Sequence, residues 1–179
     1  MGDAAFNELL TETAEIERAV VELDSEGGPK RPTYERIGEM VRVRIADLRD
    51  VSEKGLLGRI EDVTHVIYAR IAEVRVSDRL MTRTQMTALA EDVEAGATLL
   101  PVESPDGFRE AQCVEIGTEQ MTVRSVGDGT LTVTPVTELA YEAGEKVHLI
   151  ERYAVLAVRD AAGAGHHLRI VAKRLGVRD

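Results

Sequence analysis

The side chains that could carry chemistry in this chain are few in kind: one thiol, four imidazoles and a surplus of carboxylates. Cys113 has no second cysteine to pair with, and its neighbours Val114 and Ile116 predict a small buried hydrophobe rather than a reactive thiol. His166 and His167 are adjacent, and successive residues of a strand point to opposite faces, so the two rings cannot easily share one ion. No Cys or third His lies close by in sequence to complete a ligand set, and no metal site is expected. Carboxylates stand in polar, turn-rich stretches, where a solvated surface is the ordinary outcome. There is no nucleophile elbow, Walker loop, zinc spacing or carboxylate pair in an apolar setting. The sequence supports neither catalysis nor a cofactor, which leaves binding or assembly as the expected mode of action.

Two basic or mixed segments are better candidates. Arg42 and Arg44 alternate with Val41, Val43 and Ile45, a period of two that gives a strand one apolar and one basic face. That face could meet phosphates or acidic neighbours, and acidic cross-strand partners are the expected arrangement. Residues 49–59 break the alternation with Gly55, Gly58, mixed charges and an apolar tip. They read as a loop, with Arg49, Asp50, Ser52, Glu53, Lys54, Gly55, Leu56, Leu57 and Arg59 as candidate functional residues, against the plain alternative of a solvent loop.

Charge sorts the chain into two regions. The formal net charge of -10 argues against a protein that grips phosphates through an overall basic surface. Residues 85–149 hold twelve acidic and three basic residues, a formal -9, which leaves -1 for everything else. With 44% hydrophobic residues but only 3% aromatics and no Trp, the core must be built from Val, Ile, Leu and Ala, which suit pleated sheets. The N-terminus shows no basic stretch followed by an apolar run, and no apolar run is long enough to span a bilayer. Neither export nor membrane insertion is expected, and a reducing cytosol is the expected place of synthesis.

The elements that must position these residues are strands. Residues 1–10 predict a helical turn or two with Phe6, Leu9 and Leu10 on one side. Residues 11–23 read as a strand whose apolar phase shifts from Ala14 and Ile16 to Val21 and Leu23, as a bulge would produce. A turn at 24–29, the Val41 strand, a strand at 63–71 and a turn at Ser77-Asp78-Arg79 follow. A second set is expected at 98–102, 112–116, 120–126, 130–134 and 146–149, with Gly127-Asp128-Gly129 as a hairpin turn. Residues 153–158 and 167–173 form a last pair that lacks the acidic bias. It is therefore assigned to the first domain, so that 1–84 and 150–179 form one β-barrel or sandwich and 85–149 is a second small β domain inserted in a loop.

The outer segments resemble the phage head-tail joining family of head-closure, stopper and adaptor proteins. The likeness rests on Thr13-Ala14-Glu15-Ile16-Glu17-Arg18, the turn from Asp24 to Gly28, Val63-Thr64-His65-Val66-Ile67-Tyr68-Ala69-Arg70 leading to Val76-Ser77-Asp78-Arg79, and Tyr153-Ala154-Val155-Leu156-Ala157-Val158-Arg159-Asp160 followed by Gly165-His166-His167-Leu168. The chain lacks the Trp frequent in that family's second strand and carries an acidic insert that compact members do not. The insert resembles a β module of phage structural proteins through Ala95-Gly96-Ala97-Thr98, Phe108, Ile116-Gly117, Met121-Thr122-Val123, Gly129-Thr130-Leu131-Thr132-Val133 and Tyr141-Glu142-Ala143-Gly144. The resemblance implies a non-enzymatic subunit of the virion neck, assembled in the host cytoplasm into a ring of six or twelve copies. A portal or adaptor would lie above it and a tail terminator or tail tube below, with double-stranded DNA passing through without sequence-specific binding. In that family the segment corresponding to 49–59 closes the channel. The alternatives are a minor tail or capsid decoration protein, or a surface-binding module driven by residues 85–149.

Overall fold

The computed structural model describes residues 8–26, 28, 30–47, 63–70, 72–160 and 167–176. Ten strands carry it: β1 (Glu12–Val20), β2 (Thr33–Asp47), β3 (His65–Arg70), β4 (Arg79–Ala88), β5 (Leu99–Pro101), β6 (Cys113–Ile116), β7 (Glu119–Val126), β8 (Thr130–Thr134), β9 (Lys146–Asp160) and β10 (His167–Arg174). The mainly β expectation holds. The chain divides into two compact units, one drawn from Met1–Thr82 and Arg152–Leu175, the other built on Arg83–Glu151.

The first unit is a closed antiparallel barrel. Its strands run in the order β10-β3-β2-β1-β4-β9, and β9 pairs with β10 to shut the circle. Alternation decides what lies inside. Ala14, Ile16, Val41, Val43, Ile67, Ala69, Leu80, Tyr153, Val155 and Ile170 are buried together, while Arg42 and Arg44 stand exposed between the buried valines. Full burial of one such aliphatic side chain is worth about 1.5–3 kcal/mol. The barrel is thus held by branched aliphatics, as the near absence of aromatics requires.

The bulge exists, but not where the sequence placed it. The β1–β2 register shifts between Glu15 and Glu17, so that residues 37–39 of β2 stand opposite Ile16 alone. Gly38 makes this step possible with φ at 77°, a conformation that side chains bearing a Cβ resist. β1 ends at Val20, and Val21 and Leu23 are exposed at 58% and 64% instead of forming a second apolar phase. Beyond them, the Asp24 carboxylate accepts from the backbone N–H groups of Glu26 and Gly28 at 2.9 and 2.7 Å, which fixes the expected turn. Of the first ten residues, 8–10 are described, with Leu10 fully buried and Leu9 half exposed; Phe6 lies outside the described residues.

Two strands were not legible as they stand. β4 has no period-two pattern, because Leu80, Met81 and Thr82 are all buried in succession. The stretches at 146–149 and 153–158, read as separate strands, are one continuous strand, β9. β4 and β9 are the two strands in which the chain passes from the first unit to the second and back.

In the second unit β6 pairs with the first half of β9 and with β7, β7 with β8, and β8 with the short β5. Leu89, Leu100, Phe108, Val114, Ile116, Met121, Val123, Leu131, Val133 and Val147 form its own core. The β7–β8 turn falls at Asp128-Gly129, with Gly129 at φ 68°. Cys113 is only half-buried, in contrast to the expectation. It alternates with Val114, and Val114 takes the core side.

Because Ile170 is fully buried on the strand that closes the barrel, Ile170→Ala should cost about 2–5 kcal/mol of stability in urea unfolding. A cost under about 1 kcal/mol would show that β10 is not part of this core.

Candidate functional site

The barrel's outer face brings together side chains that are far apart in sequence. Arg44 stands opposite Tyr68 across β2 and β3, Tyr68 opposite Arg169 across β3 and β10, and Arg169 opposite Arg159 across β10 and β9. Paired residues of an antiparallel ladder share a face, and these alternate with the core residues Val43, Ile67, Ala69 and Ile170, so the row points outward. At about 4.8 Å per strand, the four positions span roughly 15 Å. Arg42 and Arg70 lie two residues further along the same face, Arg70 opposite His167. Arg42, Arg44, Arg70 and Arg159 are exposed, and Tyr68, His167 and Arg169 are half-buried.

The acidic cross-strand partners expected for Arg42 and Arg44 are not there. Arg42 faces Thr13 on β1, and its guanidinium donates to the Leu10 carbonyl at 2.8 Å; Arg44 faces Tyr68. Among the described residues no carboxylate pairs with Arg44, Arg70 or Arg159. Arg159 and Arg169 oppose each other directly across the ladder, Arg159 exposed and Arg169 half-buried. The result is a concentrated positive face on a protein of net charge -10.

Elsewhere arginine is tied to buried carboxylates, and the contrast defines the site. Arg18 grips Asp78, 3% exposed, with Nε and Nη2 both at 3.2 Å from its oxygens, and Nη2 also donates to the Glu73 carbonyl at 2.8 Å. Arg152 Nε lies 3.1 Å from an oxygen of Glu17, which is 5% exposed. In the second unit Arg83 Nε meets Glu115 Oε1 at 2.7 Å, and Gln120 donates to Oε2 at 2.7 Å. Each of these three carboxylates is met by positive charge or an amide donor, an arrangement that fixes structure.

The second unit carries an open groove of about 370 Å³, with Gln120, Met121, Val136 and Leu139 among its lining residues. Glu119 pins its rim by accepting from the backbone N–H groups of Glu138 and Leu139 at 2.9 Å each. The Tyr141 hydroxyl is buried beside the same carboxylate. Burial first, then the neighbouring carboxylate of Glu119 and the charge of Glu145, push its pKa above the ordinary 10.0 of a phenol. The ring lies over Gly117, at φ 57°, where a Cβ would come within 3.1 Å of it.

Of the residues singled out in sequence, Arg49, Asp50, Ser52, Glu53, Lys54, Gly55, Leu56, Leu57 and Arg59 lie outside the described residues, as does His166. Arg42 and Arg44 join the basic face. Arg70, Arg159, Arg169 and Tyr68 were missed. Their signal, an arginine at an outward position of each strand, is present in the sequence, but only the register makes them neighbours. No known family model and no curated protein matches the chain, so the likeness of its outer segments to head-tail joining proteins stands on the residues quoted for it.

Two outcomes test this account of the charges. Glu115→Ala removes an acceptor that Arg83 and Gln120 share and should destabilise the second unit by about 3 kcal/mol in chemical denaturation, whereas an exposed pair such as Lys30–Glu22 should cost under about 1 kcal/mol. The raised Tyr141 pKa means the folded protein holds that proton more tightly than the unfolded chain. Its contribution is therefore fully present below pH 10.0 and is lost as pH rises beyond it. Denaturation midpoints of wild type should fall more steeply above that pH than those of Tyr141→Phe, and parallel curves would contradict the assignment.

Proposed function

We propose that this chain is a structural protein of a phage neck, a head-closure or stopper-type subunit that forms a ring between portal or adaptor and tail and helps to retain packaged DNA. The observation that carries the reading is the discontinuous barrel: residues before Thr82 and after Arg152 fold together, and these are the segments that resemble head-tail joining proteins. A barrel has no free sheet edge inside its wall, so copies would associate through side chains on its outer face rather than by extending a sheet. The basic face described above supplies such a surface. The carboxylates in the interior are matched by arginines, which agrees with a role in assembly rather than catalysis.

A second reading, a surface-binding module carried by residues 85–149, has one observation in its favour. The open groove exposes Val136 at 44% and Leu139 at 53% beside Met121.

Cryo-EM of intact particles separates the two. The neck reading expects the chain in a cyclic array at the head-tail junction, and particles lacking it to be DNA-filled heads that leak and carry no tails. Fully tailed, infectious particles without the protein, or its location at the fibre tips, would overturn the reading.

A further inference from the structure

We propose that the basic outer face of the barrel docks on the acidic second unit of another copy of this chain. The inference names the neighbour contact of the ring proposed above and rests on that reading. Four exposed arginines, Arg42, Arg44, Arg70 and Arg159, share one face across β2, β3, β10 and β9, with Tyr68 among them. A negative surface laid against the face would meet these exposed arginines together.

The chain carries such a surface. Ten of the twelve carboxylates in residues 85–149 are exposed, all but Glu115 and Glu119. They concentrate where two segments meet. Val93 bridges to Tyr141, and the Asp92 carboxylate accepts from the Ala143 N–H at 2.8 Å, which brings Glu91, Asp92, Glu94, Glu142 and Glu145 to one margin of the unit. Each copy therefore offers one positive and one negative surface on different units. Such a contact is heterologous, the kind that propagates from copy to copy and closes into a ring when the rotation allows. Charge complementarity argues for this occupant: the face is basic, and residues 85–149 of another copy hold a formal -9.

The test uses the full chain in sedimentation velocity at low and high ionic strength. Wild type should associate at about 0.01 M salt, where the Debye length is about 30 Å, and dissociate near 1 M, where it is about 3 Å. Arg44→Glu with Arg159→Glu should weaken association roughly tenfold or more, and so should Glu91→Lys with Glu94→Lys and Glu142→Lys. Mixing the two variants, each shown by circular dichroism to be folded, should restore association between them. A wild type that stays monomeric at low salt, variants that associate unchanged, or a mixture that fails to recover would overturn the proposal. So would a short DNA duplex that binds wild type and is released by the arginine reversals while self-association is untouched, an outcome that gives the face to nucleic acid. Failure here with the chain still at the neck in particles removes only this contact, whereas a different location in particles removes the neck reading.

Discussion

The pairing of β9 with β10 is the constraint on which the first unit depends. Residues 167–174 reach back to β3 on one side and to β9 on the other, and without them the sheet from β3 to β9 would be open along two edges. Ile170 and Ala172 would leave the core, and Ile67, Ala69 and Val155 would lose their cover. The six-stranded wall is therefore a product of the two ends of the sequence, and everything displayed on its outer face depends on their meeting. The basic row is the clearest case: Arg159 and Arg169 belong to this closing pair, while Arg44 and Tyr68 come from strands more than eighty residues earlier.

A barrel built this way can carry an insertion at little cost to itself. The chain leaves along β4 and returns along β9, and the inserted residues have their own core of Leu100, Val114, Ile116, Met121, Val123, Leu131 and Val147. Among the described residues, the buried Asp78, Glu17 and Glu115 each find a partner within their own unit. Asp78 and Glu17 are held by Arg18 and Arg152 in the first, and Glu115 by Arg83 and Gln120 in the second. The remaining charge is then free to differ between surfaces, and it does: positive on the outer face of β2, β3, β10 and β9, strongly negative over residues 85–149.

Much of this was legible in the sequence where alternation is strict. Val41 to Ile45 and Thr130 to Thr134 announce their strands and their faces, and the shift in charge marks out the insert. Legibility failed where tertiary packing overrode period two. β4 buries three successive residues, so its pattern is that of no isolated strand, and the bulge opposite Ile16 depends on Gly38 in the partner strand rather than on anything within β1. The site was half legible. Arg42 and Arg44 are visible as a basic strand face, but which residues oppose them is a matter of register between strands that the sequence does not encode locally. That is why acidic partners were expected where Thr13 and Tyr68 stand.

Native-state hydrogen exchange tests the closed barrel most directly. If the two ends of the chain form one wall, the amides of Val43, Ile67 and Ile170 should open together, with a common free energy and a common response to denaturant. The amides of Val114, Met121 and Val133 should form a separate cooperative group. Exchange of Ile170 together with the second group, or well ahead of Val43 and Ile67, would contradict the account.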